Sequence, residues 1–411
     1  MVYKEYPHDI DRLKRAYYVR NAPILDDITS SPSYIIYGEN YDEVNRSLIG
    51  LLSLRWIHHG EFDTFVGSQP KEFRLSKKSF YWMRDFYRKT ITDAESLYAL
   101  ITAIVINDLG KDPQLAVDYS KKTGEDISNL NHDAIFLKAC EEGLIETLNK
   151  LPEQYKDDIL RGIKLGATFN FGQLAQTENA PVCLTDLLAM RDNARSFELR
   201  YMEQLLDIAG AAGHLDWTCA KKLIQPIFDA YQTAYYACLK VIDGTSLREA
   251  YDSILISRAN LLKEKGFSFS CDVKNKSDRA LMRLMCMGGV ANPERAQVFV
   301  DTWEKDLDEF DGSLKESLIR TLDIDGKKGE PAVQLTYMPA FLNRINDANH
   351  LCYTLQYFDR AMTAEGPSDE SAVVIDRNML KLVKEYTEEF DKDPAILQEA
   401  DIPEGVVAQR A

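Results

Sequence analysis

Leu97-Tyr98-Ala99-Leu100-Ile101-Thr102-Ala103-Ile104-Val105-Ile106-Asn107-Asp108-Leu109-Gly110-Lys111 decides how this chain is read. Ten residues of almost unbroken apolar character are closed by an amide, a carboxylate, a glycine and a lysine. An apolar stretch of this length, with no alternation of period two, reads as a buried helix. Glycine and a basic residue just beyond it are the expected stop. Helical periodicity then recurs along the chain: 41–59, 77–87, 93–108, 132–151, 184–210, 216–243, 246–266, 278–287, 293–308, 313–323, 340–362 and 378–391 are expected helices. Pro226 should kink or break the sixth of these. Thr92-Asp93-Ala94-Glu95 has the form of a capping box. Strand signals are confined to Ser33–Tyr37, Phe62–Val66 and Ala332–Tyr337. The pattern predicts an all-α fold with few or no strands, as one large helical domain over residues 1–411. The polar tail, 392–411, is expected to be partly ordered at best.

The composition of the 411 residues narrows the function classes. Acidic residues outnumber basic ones, 65 to 49, for a net charge of −16. A nucleic-acid binder needs a basic face, so nucleic acid is not the expected partner. Mean hydropathy is −0.31, and no apolar run reaches the roughly 18 residues of a membrane span. Met1–Tyr6 has no apolar signal core, and Gln409-Arg410-Ala411 matches no prenylation or retention signal. Seven dispersed cysteines without a Cys-x-x-Cys pair suit a reduced, cytoplasmic protein. A small phosphorylated ligand remains compatible with the acidic surface if metal ions or a few focused cations receive it. The sequence leaves a homodimer open.

Ile106-Asn107-Asp108-Leu109-Gly110-Lys111 resembles the His-Asp-Leu-Gly-Lys signature of HD-domain metal phosphohydrolases, with asparagine in place of histidine. The resemblance implies an HD-like helical core. Imidazole suits zinc, iron or manganese, whereas oxygen ligands suit Mg²⁺. Asn131-His132-Asp133 is a second polar cluster at a helix start. Asp108, Asn131 and Asp133 are therefore candidate metal ligands. The same residues read equally as a capped helix end and an N-cap cluster. Asp207 is a fourth candidate, four residues after Glu203 on one helix face, with Arg200 three residues before Glu203. The small-residue run Ala209-Gly210-Ala211-Ala212-Gly213 beyond it would let another backbone or a ligand approach closely.

Arg258, Leu261 and Lys265 share a helical stripe. The stripe resembles that of the humulene synthases of fungal tropolone-sesquiterpenoid pathways, which lack the aspartate-rich motifs of ordinary terpene cyclases, as this chain does. The resemblance implies a sesquiterpene cyclase that binds farnesyl diphosphate with two Mg²⁺ ions. It also implies a catalytic lysine, matched by Lys265, and an apolar pocket residue one turn earlier, matched by Leu261. Lys111 and Arg258 would contact the diphosphate, and aromatic residues such as Phe169 would line the hydrocarbon cavity. Two other readings stay open. An HD-like phosphohydrolase could use His132-Asp133 with His58 and His59, and a helical interaction protein would use its acidic surface.

Overall fold

A computed structural model describes residues 2–16 and 28–408. The described chain is mostly helical with three short strands. It divides into two compact units, Met1–Ala167 with Ala189–Asp229, and Thr168–Leu188 with Ala230–Ala411.

The longer helices of the first unit are α1 (Pro7–Arg15), α2 (Pro32–Tyr37), α3 (Asp42–His59), α4 (Lys77–Thr90), α5 (Ala94–Ile106), α6 (Pro113–Thr123), α7 (His132–Glu141), α8 (Glu153–Thr168) and α9 (Ala194–Gly210). Their starts follow local chemistry. Ser31, Ser76 and Asn131 each cap a helix by accepting a backbone N–H three residues on. The capping box at α5 is one residue later than the Thr92–Glu95 reading. Asp93 accepts from Ser96 N, and Ser96 Oγ in turn accepts from Asp93 N. Helix α5 is buried over most of its surface, including Leu100, Ile104, Val105 and Ile106, which is why it lacks a polar face.

Helices α3 and α9 meet through glycines. A Cβ on Gly210 would lie 2.8 Å from the Gly50 nitrogen, and one on Gly213 would lie 2.8 Å from the Asn45 carbonyl oxygen. Both distances are closer than a side-chain carbon tolerates, so the two backbones touch where neither helix carries a side chain. The small-residue run thus admits a backbone, one of the two outcomes expected of it. A second close approach fixes the turn after α5. A Cβ on Gly110 would lie 2.8 Å from the His132 carbonyl carbon, so the first turn of α7 rests directly on that turn.

The second unit holds most of α10 (Gln225–Ile242), then α11 (Leu247–Glu264), α12 (Lys276–Met287), α13 (Pro293–Asp301), α14 (Leu314–Leu322), α15 (Ala348–Thr363) and α16 (Leu380–Phe390). Leu284, Phe299, Trp303, Leu318, Phe341 and Phe358 form its centre. A three-stranded sheet completes it. Strands β1 (Ala332–Thr336) and β2 (Val374–Asn378) are parallel, with Ala332 opposite Val374, and β3 (Gly405–Val407) pairs antiparallel with β2. Arg279 and Arg283 are buried. Arg279 pairs with Asp252 at 2.8 Å, and Arg283 donates to the carbonyls of Leu322 and Asn179.

Several expectations need correction. Ser33–Tyr37 and Phe62–Val66 are helical, because Ser31 caps and Pro32 starts the first, and the second is a single turn closed at Gly67. Of the three expected strands, Ala332–Thr336 is the one that forms. The 132–151 helix breaks after Glu141, where Gly143 takes φ +69°. The 184–210 helix begins at Ala194 after a 3₁₀ stretch. Pro226 opens α10 instead of kinking it. The tail contributes β3, although residues 409–411 lie outside the described chain.

Gly210→Ala should lower the unfolding free energy by about 1–3 kcal/mol, since the added carbon meets backbone that has no rotamer to yield. Urea denaturation checks this, with Ala211→Ser as a control expected to move the midpoint little.

Candidate functional site: a buried charge cluster

The glycine crossing brings Glu43 and Arg46 of α3 against Glu203 and Asp207 of α9. The turn after α5 adds Asn107, Asp108 and Lys111, and Arg200 enters from α9. All of these residues belong to the first unit. Lys111 Nζ lies 2.9 Å from Asp108 Oδ1 and 3.3 Å from Glu43 Oε1. Arg46 Nη1 lies 2.7 Å from Glu43 Oε1 and 3.9 Å from Asp108 Oδ2. Arg200 donates to Glu203 and, at 3.3 Å, to the Asn107 carboxamide oxygen. The Arg200 stem has room because α8 is bare beneath it. Cβ atoms on Gly162 and Gly166 would lie 3.2 Å from its Cβ and 2.8 Å from its Cζ.

Four carboxylates, Glu43, Asp108, Glu203 and Asp207, thus face three cations, Arg46, Lys111 and Arg200. Burial raises the Glu43 pKa to about 7, and the neighbouring Asp108 carboxylate adds to the rise. Burial would raise Asp108 too, but Lys111 and Arg46 outweigh it and hold that acid at about 2. Of these two neighbouring carboxyls, Glu43 is the one that holds a proton and Asp108 the one that carries the charge. Burial lifts Glu203 to about 8 against the pull of Arg200, with Asp207 and Asp108 reinforcing the rise. Asp207 is raised by burial and then by Asp108. The same carboxylates keep Arg46 and Lys111 firmly charged despite their own burial.

Two features of this cluster point toward a ligand. Glu203 Oε1 is buried and has no hydrogen-bond partner among the described residues. A cavity of about one water's volume, ≈ 10 Å³, is lined by Arg46, Asn107, Asp108, Glu203 and Asp207. On the far side of Asn107 and Glu203, a second pocket of ≈ 20 Å³ runs along Ala103, Ile106, Phe136, Ile163 and Leu199. Charge and apolar wall are therefore contiguous.

The profile of one protein family, described as "Family of unknown function (DUF6829)", matches residues 1–397. The chain belongs to DUF6829. That match runs through both units and includes every residue of the cluster. No curated protein and no solved structure compared with it matches the chain.

Of the residues expected at a site in this DUF6829 member, Asp108, Lys111 and Asp207 come together. Asn131 and Asp133 do not join them. The Asn131 carboxamide oxygen caps α7 by accepting Ala134 N at 2.9 Å, and Asp133 lies 3.6 Å from His132 Nε2 with its side chain half exposed. Phe169, Arg258, Leu261 and Lys265 belong to the second unit. Phe169 is buried edge-on to Phe171. Arg258 donates to the Val290 carbonyl, and exposed Lys265 donates to that of Ala291 at 2.7 Å. Glu43, Arg46, Arg200 and Glu203 are the members to which the sequence alone assigned no role. The signal for the first two was an i, i+3 charge pair inside an apolar helix that turns both toward Gly50.

In metal-free protein the raised carboxyls imply a definite pH dependence. Glu43 and Glu203 hold protons in the folded state up to about 7 and about 8, whereas the unfolded chain releases them near the ordinary value of 4.5. The folded state therefore binds more protons between those limits, and stability must fall as pH rises from about 5 to 8. Chemical denaturation in EDTA should show this fall, and Glu203→Gln should reduce it by on the order of 1–3 kcal/mol.

Proposed function

We propose that this protein is a Mg²⁺-dependent sesquiterpene cyclase that ionises farnesyl diphosphate, closes an eleven-membered ring to humulene and releases diphosphate. The observation that carries the reading is the buried meeting of Asn107, Asp108 and Lys111 with Arg46, Arg200 and Asp207, beside an apolar pocket. The humulene-synthase likeness of Leu261 and Lys265 adds a second, separate line of support.

The donor chemistry suits Mg²⁺. Among the described residues, no group of three or more His, Cys, Asp or Glu side chains is arranged as a ready metal cage. Mg²⁺ does not require one, since it is commonly held by one or two carboxylates together with substrate phosphate oxygens and water. Asp108 and Asp207 would be those carboxylates, with the Asn107 oxygen and the unpartnered Glu203 oxygen alongside. Bound with the substrate, two Mg²⁺ ions would supply neutralisation of the diphosphate charge.

The chain's own residues carry the remainder. Lys111 and Arg46 offset the charge that builds on the leaving diphosphate as the C1–O bond breaks with both electrons going to oxygen. Ile106, Phe136, Ile163 and Leu199 keep water from the allylic cation, and the Phe136 ring offers it a negative face. The distal alkene then bonds to C1, and a proton passes from the ring carbon chain to the departed diphosphate, giving humulene. The apolar pocket, ≈ 20 Å³, is smaller than a farnesyl chain, so this reading requires the pocket to widen on binding.

Incubation with farnesyl diphosphate and Mg²⁺, followed by gas chromatography of a pentane extract, should give a sesquiterpene hydrocarbon. Asp108→Ala and Asp207→Ala should each lower its formation about 10²- to 10³-fold. Lys265→Ala should lower it as well if the resemblance at Leu261 and Lys265 extends to catalysis. Phosphate release from nucleotides without hydrocarbon would replace this reading by the hydrolase. Neither activity would return the chain to the interaction-protein reading.

A further inference from the structure

A third, larger cavity lies on the other side of α3. It has a volume of ≈ 530 Å³, within the range of small-molecule sites. Its wall is aliphatic: Leu48, Leu51 and Leu52 from α3, and Leu97 and Ile101 from α5. These α3 positions point about 150° around the helix from Glu43, Arg46 and Gly50. The cavity shares no lining residue with the two pockets at the charge cluster.

The cavity is polarised along its length. Near the start of α3 it is closed by Pro32 and Ile36 of α2, and Ile36 is partly exposed at the rim. Near the end of α3 its lining changes to Arg55, His58 and His59, with Tyr87 of α4. From Leu48 to His59 the helix advances roughly 16 Å. The polar end is organised. The Tyr87 hydroxyl lies 3.1 Å from His58 Nδ1, and the His58 and His59 rings meet edge to face at 4.9 Å. Arg55 faces Glu61 at 3.4 Å, an exposed pair that costs little to exchange for another anion.

A long aliphatic slot with a cation and two imidazoles at one end has the chemistry of an amphiphile site. We propose that this cavity binds one long-chain amphiphile with an anionic head, its chain along Leu48, Leu51 and Leu52 and its head at Arg55, His58 and His59. A fatty acyl carboxylate and an isoprenyl monophosphate share that chemistry. The site is separate from the charge cluster and does not depend on the cyclase reading.

Isothermal titration calorimetry in EDTA, without Mg²⁺, tests the proposal with palmitate, farnesyl monophosphate and farnesol. One anionic ligand per chain should bind, with farnesol about tenfold weaker or more. The tighter of the two anions identifies the source of the ligand. Leu52→Trp fills the slot and should weaken both anions about tenfold or more, and Arg55→Glu should do so while leaving farnesol unchanged. Leu48→Trp serves where thermal unfolding shows Leu52→Trp to be misfolded. Asp108→Ala should leave binding intact. The proposal is overturned if neither anion binds, if correctly folded tryptophan variants bind as well as the parent, or if binding is lost in Asp108→Ala.

Discussion

The contact between Gly50 on α3 and Gly210 on α9 is the constraint on which the first unit depends. Ordinary helix pairs keep their axes 8–10 Å apart because side chains fill the space between them. Here the backbones themselves touch, which leaves no room for an apolar layer. Residues one and two turns from the crossing are then forced into mutual contact whatever their chemistry. On α3 those residues are Glu43 and Arg46, and on α9 they are Glu203 and Asp207. The charge cluster follows from how close two helices come.

Such a cluster is an expensive way to hold a fold together. Each buried ion loses its hydration, and well-packed apolar residues often stabilise as much as a buried ion pair or more. The arrangement here is also imperfectly matched. Two carboxyls must keep protons near neutral pH, and a buried oxygen of Glu203 has no partner among the described residues. Arg279 and Arg283 in the second unit form the instructive contrast. They too are buried, but Asp252 and main-chain carbonyls receive most of their N–H groups, with Arg279 Nη2 left 3.6 Å from Asp325.

Much of the fold was legible because helix ends advertise themselves chemically. Asp93 and Pro226 mark helix starts within a residue or two of where they fall, whereas the break at Gly143 lies inside the helix expected over 132–151. The Ser33–Tyr37 error has a plain cause: a short aromatic and β-branched run has no period, and the cap at Ser31 decided the outcome. At the site, Asp108, Lys111 and Asp207 were found because carboxylates and an amine beside apolar helices are conspicuous. Glu43 and Arg46 escaped notice because closeness across more than sixty residues is set by the glycine crossing, which no local pattern reveals. Asn131 and Asp133 misled for the opposite reason. A side-chain oxygen that caps a helix and one that holds a metal ion look alike in sequence.

Gly110 has a wider consequence. The space its side chain would fill belongs to the His132 carbonyl, so the turn from Asn107 to Lys111 is clamped from outside as well as by its own hydrogen bonds. A turn held in this way works as a socket. The side chains at 107, 108 and 111 can change identity while the positions from which they project stay fixed. Substitutions at these three positions therefore alter the chemistry offered at the turn without requiring the chain to refold around it.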